Sequence, residues 1–153
     1  MTFQNRDRML AKLKKIQGAP RARLRGALEK NAEELTAMQK RMAPVASGAL
    51  RDSIGFTFGD YAPANANVRG VSGGGGGDPD LSVTVHAGDA RAWYAALVEF
   101  GTNPHENKGR FSGTQHPGAQ PSPYFYPSYR ALKRRMKSRA TREARKGIKE
   151  AVA

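Results

Sequence analysis

Ile54-Gly55-Phe56-Thr57-Phe58 decides the fold class. Its apolar side chains fall on every second position, the period of a strand with one buried face. Leu81, Val83 and Val85 repeat the pattern against Ser82, Thr84 and His86, which predicts a second strand pairing antiparallel with the first. Between them, Gly59 to Pro79 reads as loop throughout and includes the glycine run Gly73–Gly77. Such a run costs much ordering entropy and offers no side chains to offset it.

Helical periodicity surrounds this pair. Met9, Leu10, Leu13 and Ile16 predict a first helix over Asn5 to Gln17, broken at Gly18-Ala19-Pro20. Pro20 suits the first turn of a second helix. Leu24, Leu28, Leu35, Met38 and Met42 give that helix its apolar stripe, and it ends before Pro44. Gly48-Ala49-Leu50-Arg51-Asp52 reads as a short helical turn, and Ala90 to Phe100 as a short helix or helix–strand junction. A final helix starts near Pro127 or Ser128, with Leu132, Met136, Ala140 and Ala144 as a narrow apolar face. The fold class is α+β: a long N-terminal helix, a small antiparallel sheet with a long glycine-rich hairpin loop, and a basic C-terminal helix. Residues 1–153 make one domain, with flexible loops at about 59–80 and 103–120.

Charge is unevenly placed within a net +13. Residues 1–42 hold 11 Lys/Arg against 4 Asp/Glu, and residues 121–153 hold 10 against 2. The middle, 43–120, holds 5 against 7. The two basic ends would repel each other face to face unless an acidic partner or salt intervened. No cysteine is present, which excludes a disulfide framework and thiolate metal sites. The charged start lacks the apolar core of a signal peptide, and no run is long and apolar enough to span a membrane.

Candidate chemistry is thin. His86, His105 and His116 match no metal-ligand spacing, though the last two share one proline-rich loop. The glycine run lacks the Gly-Lys-Ser/Thr ending of a phosphate loop. Ser47 precedes Gly48 but follows no strand, so it forms no nucleophile elbow. Glu99, the one acid in an apolar stretch, reads as pairing with an arginine or capping backbone donors, because a buried unpaired charge is costly. No catalytic, cofactor or metal residue is assigned. The aromatic residues around it complete a small core, and Trp93, Tyr94, Glu99, Phe100, Tyr124 and Phe125 form the candidate subunit interface. On the last helix, Arg130, Lys133, Arg134, Lys137 and Arg142 are candidate contacts to DNA or to an acidic partner.

Three segments occur in an order that resembles a known family. They are Ala43-Pro44 through Ser47-Gly48, Leu50 and Ser53-Ile54; Tyr94-Ala95 through Val98-Glu99-Phe100-Gly101-Thr102; and Pro121, Pro123, Tyr124, Phe125 and Pro127. The set is similar to that of the HK97-gp10-like tail-completion or neck proteins of tailed phages. The resemblance implies a non-enzymatic virion part, assembled in the bacterial cytoplasm of a phage, prophage or gene-transfer-particle host. It implies a ring at the head–tail junction or the proximal end of the tail tube, completing the tail around the DNA channel. A heterologous interface closes such a ring, of about six copies, or about twelve nearer the portal. Its partners would be neck and tail-tube proteins and packaged DNA, with no membrane, and loop 59–80 would order against an adjacent ring. The alternative is a nonspecific DNA-binding module acting through the basic helices.

Overall fold

A computed structural model of the chain describes residues 6–61 and 78–152, apart from the side chains at 8 and 12–17. The order is α1 (Arg6–Met42), α2 (Ala49–Asp52), β1 (Gly55–Phe58), β2 (Val83–His86), α3 (Ala95–Phe100), β3 (His105–Glu106), β4 (Gln115–His116) and α4 (Phe125–Val152). This is the expected α+β arrangement, built on two long helices and a small antiparallel sheet.

One expectation fails. α1 runs unbroken through Gly18-Ala19-Pro20, where the sequence predicts a boundary between two helices. A proline inside a helix removes one N–H and crowds the carbonyl four residues earlier, at a cost of about 3 kcal/mol. Tertiary packing offsets it, as packing commonly overrides local propensity. Gly147 of α4 lies against this point so closely that a Cβ there would stand 2.6 Å from Pro20 Cα. The boundary signal is real, but a neighbouring helix holds the chain helical across it.

α1 and α4 run antiparallel, as cross-contacts from Arg23 to Glu143, Asn31 to Met136, and Gln39 to Phe125 require. Two basic helices pack together because three of their six acids lie in the seam. Glu34 receives Arg139 at 2.6 Å and Arg135 at 3.0 Å. Arg23 bridges Glu143 at 3.0 Å and also clasps Glu150. Asn31 accepts from Arg139 at 2.6 Å and donates to the Met136 carbonyl at 3.1 Å, which fixes the helical register.

The β1–β2 hairpin lies on α1. Phe56 faces Val85 and Phe58 faces Val83, so all four side chains share one side of the sheet. The Arg25 guanidinium covers the Phe58 ring at 4.2 Å. Arg21 pairs with Asp78 and Arg25 with Asp80, each at 2.5 Å, tying the entry to β2 onto the helix. On the opposite side His86 stacks on Tyr61, with ring centroids 3.8 Å apart. The long loop, including Gly73–Gly77, lies outside the described residues. The core sits where α1 ends and α4 begins: Ala43, Leu50, Ile54, Ala92, Ala95 and Tyr124.

Residues 103–120, read as turn-rich loop, carry a narrow exposed hairpin. His105 opposes His116 and Glu106 opposes Gln115, with a further bridge from Thr102 to Ala119. Gly101 closes its base at φ 71°, and a Cβ there would stand 2.6 Å from the Ala119 carbonyl oxygen. Only glycine fits both the left-handed backbone and the space.

Candidate assembly interface

Glu99 settles how the two later motifs belong together. Its buried carboxylate accepts from the backbone N–H groups of Tyr124 at 2.7 Å, Phe125 at 2.8 Å and Tyr126 at 3.0 Å. These are the orphan donors at the start of α4, and a negative charge there also complements the helix dipole. The next residue, Pro127, has no N–H to satisfy. A single carboxylate and a single proline thus complete the first turn. α4 accordingly begins at Phe125, ahead of the expected start near Pro127 or Ser128. Of the two roles predicted for Glu99, capping is the one it takes. The Ser122 N–H donates to the Val98 carbonyl at 2.8 Å and holds the incoming segment in place. Burial pushes the neighbouring Tyr124 phenol well above its usual range, with the Glu99 charge adding to the shift.

Turning Glu99 inward turns the other side of α3 outward. Trp93, Leu97 and Phe100 recur at helical spacing and are exposed to 57%, 41% and 64%. Clustered large apolar side chains in solvent make this side of α3 a candidate contact surface. Phe100 meets Tyr126 at 5.8 Å between ring centroids, which carries the patch onto α4.

Tyr126 opens the next feature, a groove of about 560 Å³ between α1, β2 and α4. Leu28, Ala32 and Leu35 of α1 and Val83 and Val85 of β2 supply one side. Tyr126, Tyr129, Met136 and Ala140 of α4 supply the other. The groove exists because a two-stranded sheet is too narrow to cover both helices. Lys133 and Lys137 are the charged side chains lining it, and Lys133 Nζ lies 5.9 Å from the Tyr129 ring centroid.

The side of α4 opposite α1 is basic. Arg134, Lys137, Arg142, Arg145 and Lys149 line an open trough there with Ser138 and Thr141. None of these five cations has a carboxylate within ion-pair distance among the described residues, whereas Lys146 beside them pairs with Glu143 at 3.2 Å. That charge and exposure suit phosphate groups or carboxylates.

The structure therefore distributes the expected site residues unequally. Trp93 and Phe100 are on the surface, Tyr94 and Phe125 are half-buried against the core, and Glu99 and Tyr124 are inside the subunit. Arg134, Lys137 and Arg142 share the trough, Lys133 sits at the groove, and Arg130 is exposed outside both. Leu97, Tyr126 and Tyr129 join the apolar surface and Arg145 and Lys149 join the trough. The 93–97–100 spacing signals the first of these in the sequence; nothing local signals the groove, which needs the sheet in place.

His105 and His116 do approach, stacking at 4.9 Å. Among the described residues, however, no group of three or more potential metal ligands exists, and no helix is long and apolar enough to cross a membrane. A family model described as "Bacteriophage HK97-gp10, putative tail-component" matches residues 7–101, more than half of the chain. That span takes in α1 to α3 and ends at Gly101, leaving the β3–β4 hairpin and α4 beyond it. No curated protein and no solved structure matches the chain.

Proposed function

Because the chain belongs to the HK97-gp10-like family of bacteriophage tail components, we propose that it is a structural subunit of a ring in the virion, at the head–tail junction or the proximal end of the tail tube. Residues 1–153 act as one tail-completion-like domain, joining tail to head around the DNA channel without catalysis. The observation that carries the reading is the exposed stripe formed by Trp93, in the turn before α3, with Leu97 and Phe100 of α3. A lone subunit gains nothing by presenting it to water, while burying each such side chain stabilises an assembly by about 2 kcal/mol. Seated on a different patch of the next copy, the stripe makes a heterologous contact, and such contacts close as a ring, of about six copies. Neck and tail-tube proteins are the neighbours above and below.

Cryo-electron microscopy of intact particles tests this directly. The expected density is a closed ring between head and tail tube, with the α3 stripe covered by the next subunit or layer. Absence of the chain from every particle overturns the proposal.

A second reading follows from the trough on α4: a nonspecific DNA-binding module. Five cations on one helix side, without carboxylate partners among the described residues, suit a phosphate backbone. In the ring, the same side would face packaged DNA or an acidic neighbour. The isolated protein separates the readings. A module binds duplex DNA strongly as a monomer or dimer, with steep salt dependence and no ring in any particle.

A further inference from the structure

The α1–β2–α4 groove is distinct from both the α3 stripe and the outer trough, and its chemistry is mixed in one particular way. Its walls are aliphatic and aromatic, while the charged groups lining it, Lys133 and Lys137, are both cationic and both on α4. Its polar wall residue Asn31 is already engaged, accepting from Arg139 and donating to the Met136 carbonyl. A ligand in the groove must therefore bring apolar side chains for the walls and negative charge for one lip.

That combination chooses among occupants. A DNA strand has the charge but no apolar side chains for walls built of Leu28, Leu35, Val85 and Met136. A second copy of this chain has the apolar side chains, but both of its long helices are strongly basic, so either one would bring further cations toward Lys133 and Lys137. Opposed like charges there would disfavour the contact. A helix or strand with an apolar face and carboxylates along one edge satisfies every element, since each lysine gains a charged partner as the apolar area is buried.

We infer that this groove is the docking site for an acidic, amphipathic segment of a different tail or neck protein. The inference rests on the virion role proposed above and adds the kind of partner and its seat. Lys133 supplies the anchoring charge above Tyr129, and Lys137, shared between groove and trough, supplies the second.

Photo-crosslinking within assembled particles tests it. A benzoyl-phenylalanine introduced in place of Tyr129, which is 40% exposed, reports what lies in the groove. The expected adduct joins this chain to a carboxylate-rich stretch of another virion protein, identified by mass spectrometry. Adding Lys133→Glu and Lys137→Glu should cut its yield at least about fivefold, a loss of about 1 kcal/mol of binding, while the chain remains incorporated. An adduct to a second copy of this chain, to DNA, or to nothing in particles that contain the chain overturns the inference and leaves the virion role standing. Undiminished yield after charge reversal also overturns it. Particles lacking the chain altogether overturn both.

Discussion

The two sides of α4 are both rich in arginine and meet different fates. On the seam with α1, Arg135 and Arg139 reach Glu34, and Glu143 and Glu150 receive Arg23. On the outer side, Arg134, Arg142, Arg145 and Lys149 line a trough and meet no carboxylate among the described residues. Counting arginines along the helix would treat both sides alike. The difference lies in where three glutamates fall: they hold together helices that would otherwise repel, and so leave the opposite side unneutralised. A strongly basic helix pair is thus held together on one side and, among the described residues, left with unpaired cations on the other.

The comparison can be broken most severely at the end common to both sides. Glu99→Ala leaves three N–H groups at the start of α4 without an acceptor and should destabilise the fold by about 3 kcal/mol. Thermal unfolding followed by circular dichroism checks this, and Glu99→Gln, which keeps an acceptor, should lose less. Gly147→Val drives a side chain into the Pro20 backbone and forces the helices apart. We expect a loss of about 2 kcal/mol in urea unfolding, with no change in any outer-side property. Glu34→Ala strands Arg139, only 17% exposed, beside Asn31, at a cost of about 1–2 kcal/mol that grows less visible at high salt. The outer side should answer in the opposite way. Arg134→Ala, Arg142→Ala and Arg145→Ala together should leave stability within about 0.5 kcal/mol. They should also flatten the salt dependence of duplex-DNA binding by about 3 in log–log slope.

The smallest effect is expected from pH. Burial lowers the His86 imidazole below its ordinary value of 6.5. Above that value both folded and unfolded chains carry it neutral, and the fold has its full stability. Below it the unfolded chain takes up the proton first, so stability falls as pH descends from 6.5 to the folded value and then levels. A melting series from pH 8 to pH 5 should show a shallow drop that His86→Phe removes.

Much of the fold was legible because its signals are local. Phe56 and Phe58 against Val83 and Val85 carry the period of two, and Leu28 to Met42 carry the helical period. What escaped depends on contacts distant in sequence. Pro20 reads as a boundary until Gly147, far along the chain, is placed against it. Glu99 reads as either an ion-pair partner or a cap until the backbone at 124–126 arrives to receive it. The basic residues of α4 are visible in the sequence, but which of them are neutralised is decided by Glu34 on another helix. The hairpin at 105–116 has strands too short to leave a periodic trace.

The crossing of Pro20 and Gly147 gives the molecule a mechanical asymmetry. Beyond it α1 extends to Arg6, roughly 20 Å of helix, while α4 continues only one further turn to Val152. Met9 and Leu10 on this extension are exposed. The extension is therefore joined to the rest of α1 through a point where its own hydrogen-bond ladder lacks a rung. A sideways push on its tip arrives at Pro20 as torque, so a neighbour gripping Met9 and Leu10 would bend the arm there before it disturbed the body.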